Sequence, residues 1–167
     1  MDTPHYIINI EWDGHFTYDE VPSLNTGIDY GLYQIYGAHP VYGSNVLLYI
    51  GQAQGQCFAD RIRQEKQWLD NHDFKRLNIY VGRMAGKTTP SDKVWQDEIN
   101  WAERLLIFAH SPAANTQKNL GKLASDLEPI HVLNWGHRRD LLPEVSGNRW
   151  ASTLDFGREY DENHERL

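Results

Sequence analysis

Five tyrosines fall between positions 30 and 49, and two of them stand in mirrored triplets, Gly31-Leu32-Tyr33 and Tyr49-Ile50-Gly51. Two phenols on neighbouring strands can pack as a cross-strand aromatic pair, or they can handle a proton. An unperturbed phenol has a pKa of ~10, so only about one in a thousand is ionised at neutral pH, and tyrosine chemistry needs help from neighbours. Cations follow in "FADRIRQEK", which carries Arg61, Arg63 and Lys66, and a lone carboxylate, Glu103, opens "AERLLIFAHSPAAN". The eight histidines show no close pair with metal-ligand spacing, and Cys57 is the only cysteine. A structural zinc site is therefore not expected.

These residues need elements to position them. "YIINIEWDGHFTYDEV" alternates apolar and polar residues around Asp13-Gly14 and reads as a β-hairpin. Leu32–Tyr36 and Val46–Gly51 read as strands joined by the Gly-, Pro- and Asn-rich "GAHPVYGSN". A helix is expected from Phe58, with Phe58, Ile62 and Leu69 on one face, and "RLNIYVGRM" gives a third strand. "TPSD" at Thr89–Asp92 is a helix start, with Thr as N-cap and Pro at the first position. Trp95, Ile99, Ala102, Leu106 and Ala109 then mark one buried stripe, Glu103 borders it, and Pro112 ends the helix. "PIHVLNW" is a last strand before an acidic tail. By the period of two, Tyr36 faces away from Tyr33.

The order of these features resembles the GIY-YIG nuclease superfamily. Paired tyrosine triplets lie on adjacent strands, an arginine lies early on the next helix, and a third strand follows. A helical Glu then leads to aliphatics, a Pro and an Asn: Glu103, Pro112 and Asn115. The resemblance covers residues 31–115. It implies an α+β fold: a small antiparallel three-stranded sheet with flanking helices over about 28–120. An acidic N-terminal hairpin (1–27) and a C-terminal strand and tail (121–167) would complete a single domain over 1–167. It implies a metal-dependent endonuclease, with nucleic acid, DNA first, as partner. Catalytic roles pass to Tyr33, Tyr49, Arg61, Glu103 and Asn115. Tyr33 would be the general base, Tyr49 its assistant and Glu103 the ligand of Mg²⁺ or Mn²⁺. Arg61, Arg63 and Lys66 would bind the phosphates, with Arg63 the alternative to Arg61 as the clamp. Asn115 would hold the geometry or terminate the helix region. Glu65 stands where the family often carries a His or Tyr.

Charge sets limits. The net charge is -7, with -6 in residues 1–30, +2 in 31–120 and -3 in 121–167. Phosphate binding wants Lys and Arg, so a catalytically silent binding or adaptor module is the rival reading. A protein partner or a second copy of the chain could supply the grip on nucleic acid. No apolar run approaches the roughly 20 residues of a membrane helix. With no basic residue before Arg61 and one cysteine, a signal peptide is not expected, and a reducing cytoplasm is the expected setting.

Overall fold

Along residues 6–12, Ile8, Ile10 and Trp12 are buried while Ile7 and Glu11 face outward. That period of two holds through one continuous strand, β1 (Tyr6–Phe16). It is followed by β2 (Gly31–His39), β3 (Gly43–Ala53), α1 (Phe58–Arg63), β4 (Asn78–Met84), α2 (Lys93–His110), β5 (Ile130–Gly136) and β6 (Glu144–Ser146), with short 3-10 turns between. This is a computed structural model, and it describes residues 5–65, 73–85, 93–115 and 123–150. Lys66, Leu69 and the helix start at Thr89–Asp92 lie outside the described residues.

The strands form one six-stranded mixed sheet in the order β3-β2-β4-β1-β5-β6, curled into a half-barrel. This corrects the expected small three-stranded sheet with flanking helices. β2, β3 and β4 do pair antiparallel. The sheet continues past them, because β1 pairs antiparallel with β4 and parallel with β5. The expected acidic hairpin is likewise an interior strand. Asp13-Gly14 makes no turn; the pairing of β1 with β4 shifts register between Gly14 and Phe16. Gly14 has φ +143°, and a Cβ there would lie 2.9 Å from the Ile79 carbonyl oxygen. The glycine lets two backbones pass closely at an irregularity, a use that local sequence does not distinguish from a turn.

Over β2 and β4 the sheet is buried on both faces. Ile8, Ile10, Trp12, Leu32, Tyr36 and Ile50 share a core with Trp95, Ile99, Ala102 and Leu106 of α2. The stripe read from the sequence is thus the one that packs, although Leu105, Ile107 and Glu103 are buried as well and Ala109 only half so. On the other face Tyr33, Ile35 and Val81 pack with Phe58 and Ile62 of α1. Tyr33 and Tyr36 therefore lie in different cores.

The end of α2 is joined to the 137–142 loop through His110. Its Nε2 accepts the Leu142 amide at 2.9 Å, and its Nδ1 meets the Leu106 carbonyl at 2.9 Å. That bonding needs a neutral ring with the proton on Nδ1. Burial lowers its proton affinity, opposed by the Leu106 carbonyl and Asp140, and the folded pKa falls below 6.5. The unfolded chain then binds the proton more readily, so this contribution to stability is complete above about pH 6.5. It is lost as the pH falls from there toward the depressed folded value. Thermal unfolding should show a lower midpoint near pH 5.5 than near pH 7.5. Part of that drop should vanish in His110→Gln, whose amide keeps a donor and an acceptor without titrating.

Candidate functional site

Tyr33 and Gly51 lie directly opposite each other on β2 and β3. A Cβ at Gly51 would stand 2.4 Å from Tyr33 Cζ, 2.5 Å from its hydroxyl oxygen and 2.7 Å from Tyr49 Cε1. The glycine of the second triplet is therefore the space in which the two rings meet, with centroids 6.1 Å apart. Tyr33 is fully buried and Tyr49 half-buried.

Glu65 draws the polar groups together. Its Oε1 accepts the Tyr33 hydroxyl at 3.0 Å and lies 2.7 Å from Arg61 Nη2. Tyr49 lies close enough to feel the charge of the same carboxylate. α1 carries Arg61 into position because its first amides are taken by the loop before β2, Phe58 by Asp29 and Ala59 by Leu24. Arg61 Nε also donates to the Gln52 carbonyl at 3.3 Å. The Gln52 side chain then donates to Glu103 Oε2 at 2.9 Å and accepts from Gln54 at 2.6 Å. Since β3 is the edge strand of the sheet, Gln52 links Glu103 on α2 to the tyrosines on the opposite face.

Electrostatics follow from this packing. Burial raises the Tyr33 pKa well above that of a free phenol, and the Glu65 charge and Tyr49 add to the rise while Arg61 opposes it. Burial, then Glu65 and Glu103, push Tyr49 up to about 12, again against Arg61. Neither tyrosine rests as a phenolate. A proton can leave Tyr33 only as another arrives, with Glu65 as the acceptor in contact.

Asn115 brackets β3. Its Oδ1 accepts the Ile50 amide and its Nδ2 donates to the Ile50 carbonyl, both at 2.9 Å. Ala114 N–H bonds the Leu48 carbonyl at 2.8 Å, so residues 113–115 cover the open edge of the strand that carries Tyr49 and Gly51. Asn115→Ala should leave two buried backbone groups unpaired, at about 1–3 kcal/mol each. Urea unfolding should show that loss, and Asn115→Asp, which can still accept but cannot donate, should fall between.

The structure thus brings Tyr33, Tyr49, Arg61 and Glu103 into one connected network, and Asn115 frames it from the backbone. Arg63 is not in it. That side chain bonds Asp60 at 2.9 Å and the Ala59 carbonyl at 2.8 Å. Sequence reasoning missed Gln52, although it directly follows the second triplet, and treated Glu65 only as a departure from the family pattern. Among the described residues no three His, Cys, Asp or Glu side chains gather as a metal cage. Glu103 offers one hard carboxylate oriented by an amide. That donor set suits Mg²⁺ or Mn²⁺, which keep waters and take phosphate oxygens, better than a nitrogen- and sulfur-seeking ion.

Among the described residues no helix is long and apolar enough to cross a membrane. Comparison of the chain with protein-family profiles, curated proteins and solved structures found no match.

Proposed function

We propose that the chain is a cytoplasmic, metal-dependent endonuclease that hydrolyses phosphodiester bonds of nucleic acid, DNA first. In this reading it carries the GIY-YIG residue set on a larger mixed sheet. One observation carries the reading. Tyr33, Arg61 and Glu103 come from three different elements and join in a single bonded network through Glu65 and Gln52, with the Tyr49 ring of a fourth element against Tyr33. Packing alone has no need of an arginine and two buried carboxylates beside two phenols.

Arg61, one-third exposed, is the group on which a phosphate would land, with two parallel N–H donors for its oxygens. Tyr33 takes the proton of the attacking water, and Tyr49 holds the same polar cluster in register. Gln52 fixes the carboxylate of Glu103, which would hold the cation. A bound Mg²⁺ or Mn²⁺ supplies charge neutralisation at the phosphate. Asn115 keeps β3 in place beneath these groups.

The second reading, an adaptor module without catalysis, is favoured by the same Arg61. Its guanidinium is already committed to Glu65, and the hydroxyl of Tyr33 is fully buried. The deciding experiment offers plasmid, single-stranded and branched DNA, and RNA, to the purified chain with Mg²⁺ or with EDTA. Cleavage that requires the cation supports the nuclease. Binding without cleavage on any substrate supports the adaptor and overturns the nuclease.

A further inference from the structure

Glu65 Oε1 joins two groups of the site: it accepts the Tyr33 hydroxyl at 3.0 Å and lies 2.7 Å from the Arg61 guanidinium. Its side chain is only 9% exposed, and it follows directly on the last turn of α1. At rest Glu65 Oε1 is committed to the Arg61 guanidinium at 2.7 Å. The guanidinium is in turn a weak phosphate ligand while the carboxylate holds it. As they rest, each disables the other.

We propose that a substrate phosphate displaces Glu65 from Arg61, and that the released carboxylate then becomes the proton acceptor for Tyr33. The proposal rests on the nuclease reading of the same site and assigns it a gate. The phosphodiester exchanges one anion for another on Arg61, so the cation keeps a partner throughout. Glu65 loses the cation it was paired with and keeps the Tyr33 hydroxyl as its hydrogen-bond donor. The carboxylate is therefore released to take the Tyr33 proton only when a phosphate is seated. Among the described residues, Tyr33 and Tyr49 on the two strands and Arg61 on α1 are the charged and titratable groups that face it, and Glu103 on α2 acts on Tyr49.

The proton path balances. One O–H bond of the attacking water breaks, and its proton goes to the Tyr33 hydroxyl oxygen as the Tyr33 proton moves to Glu65 Oε1. The hydroxide oxygen bonds to phosphorus, the bond from phosphorus to the leaving sugar oxygen breaks, and that oxygen takes a proton from solvent water. After the product leaves, Glu65 returns its proton to solvent and pairs with Arg61 again. Tyr33 never becomes a free phenolate, in keeping with its raised pKa. Glu65 is thus a positioning residue that acts through Tyr33.

The test uses the full chain, a short DNA duplex and Glu65→Gln, which keeps size and one acceptor but neither holds the Arg61 charge nor takes a proton. In EDTA the variant should bind the duplex up to about fivefold more tightly, since an ion pair no longer competes. In Mg²⁺ its single-turnover cleavage should fall about 10²–10⁴-fold, the usual size of a general-base effect. A residue that only holds structure would weaken both or neither. One arm needs no variant at Glu65. The ¹³Cζ resonance of Tyr33, assigned through Tyr33→Phe, should move when wild type binds the duplex in EDTA, because its hydrogen-bond partner changes charge environment.

A wild-type chain that cuts DNA while Glu65→Gln cuts equally well and binds no tighter overturns the gate and leaves the nuclease standing. A wild-type chain that cuts nothing overturns the nuclease. The binding comparison and the Tyr33 resonance then decide the exchange on Arg61 by themselves. A Tyr33 resonance that stays fixed in a saturated complex overturns the exchange in either case.

Discussion

Glu103→Gln should fold as wild type does and lose cation-dependent cleavage by about 10²–10⁴-fold, the several kcal/mol that a metal-held charge contributes at a transition state. Glu103 is 1% exposed, and its Oε2 accepts the Gln52 amide at 2.9 Å. The replacement has the same length, and its amide oxygen can accept the same bond. Removing a charge from so buried a position does not destabilise by desolvation, so the thermal midpoint should not drop. Neighbouring Arg104 stays paired with Asp126, at 2.6 and 2.9 Å, and holds the helix surface as before. Cleavage at the wild-type rate in Mg²⁺ would remove Glu103 from the metal site. A lowered thermal midpoint would make its role structural.

Tyr33→Phe and Tyr36→Phe should separate activity from stability. In the nuclease reading the first removes the hydroxyl that passes the proton of the attacking water to Glu65, at a cost of about 10²–10⁴-fold in cleavage. Its stability cost is small, because Glu65 keeps Arg61 as a partner. Tyr36 sits in the opposite core, donates to the buried Gln34 Oε1 at 2.7 Å and accepts the Asp140 amide at 3.3 Å, beneath the Arg139 guanidinium. Its loss strands the buried Gln34 carbonyl oxygen, at about 1–3 kcal/mol, with the cleavage rate unchanged. Urea melts and single-turnover rates on the two variants check both halves. Equal rates would return Tyr33 to a packing role.

Some of this was legible along the chain. The period of two in "YIINIEW" and the apolar runs around the two tyrosine triplets specify strands, and Trp95, Ile99, Ala102 and Leu106 specify the face of α2 that packs. These patterns depend only on neighbours a few residues apart. The alternation also placed Tyr33 and Tyr36 on opposite faces, as the two cores require. Asp13-Gly14 misled for the same reason: a glycine that permits a turn also permits a close pass between strands.

By itself, then, the sequence determined the strand and helix periods, the faces they bury and the types of side chain available for proton and phosphate chemistry. The tertiary structure alone decided that β1 lies between β4 and β5, and so that the sheet has six strands rather than three. It alone decided that Glu65 would accept the Tyr33 hydroxyl, and that Gln52 would reach Glu103. These pairings join residues far apart in the chain. Each closes a long loop, whose entropic cost grows only slowly with length. Which of the possible closures wins is decided by the total burial and hydrogen bonding of the finished sheet, and no local stretch of sequence carries that sum.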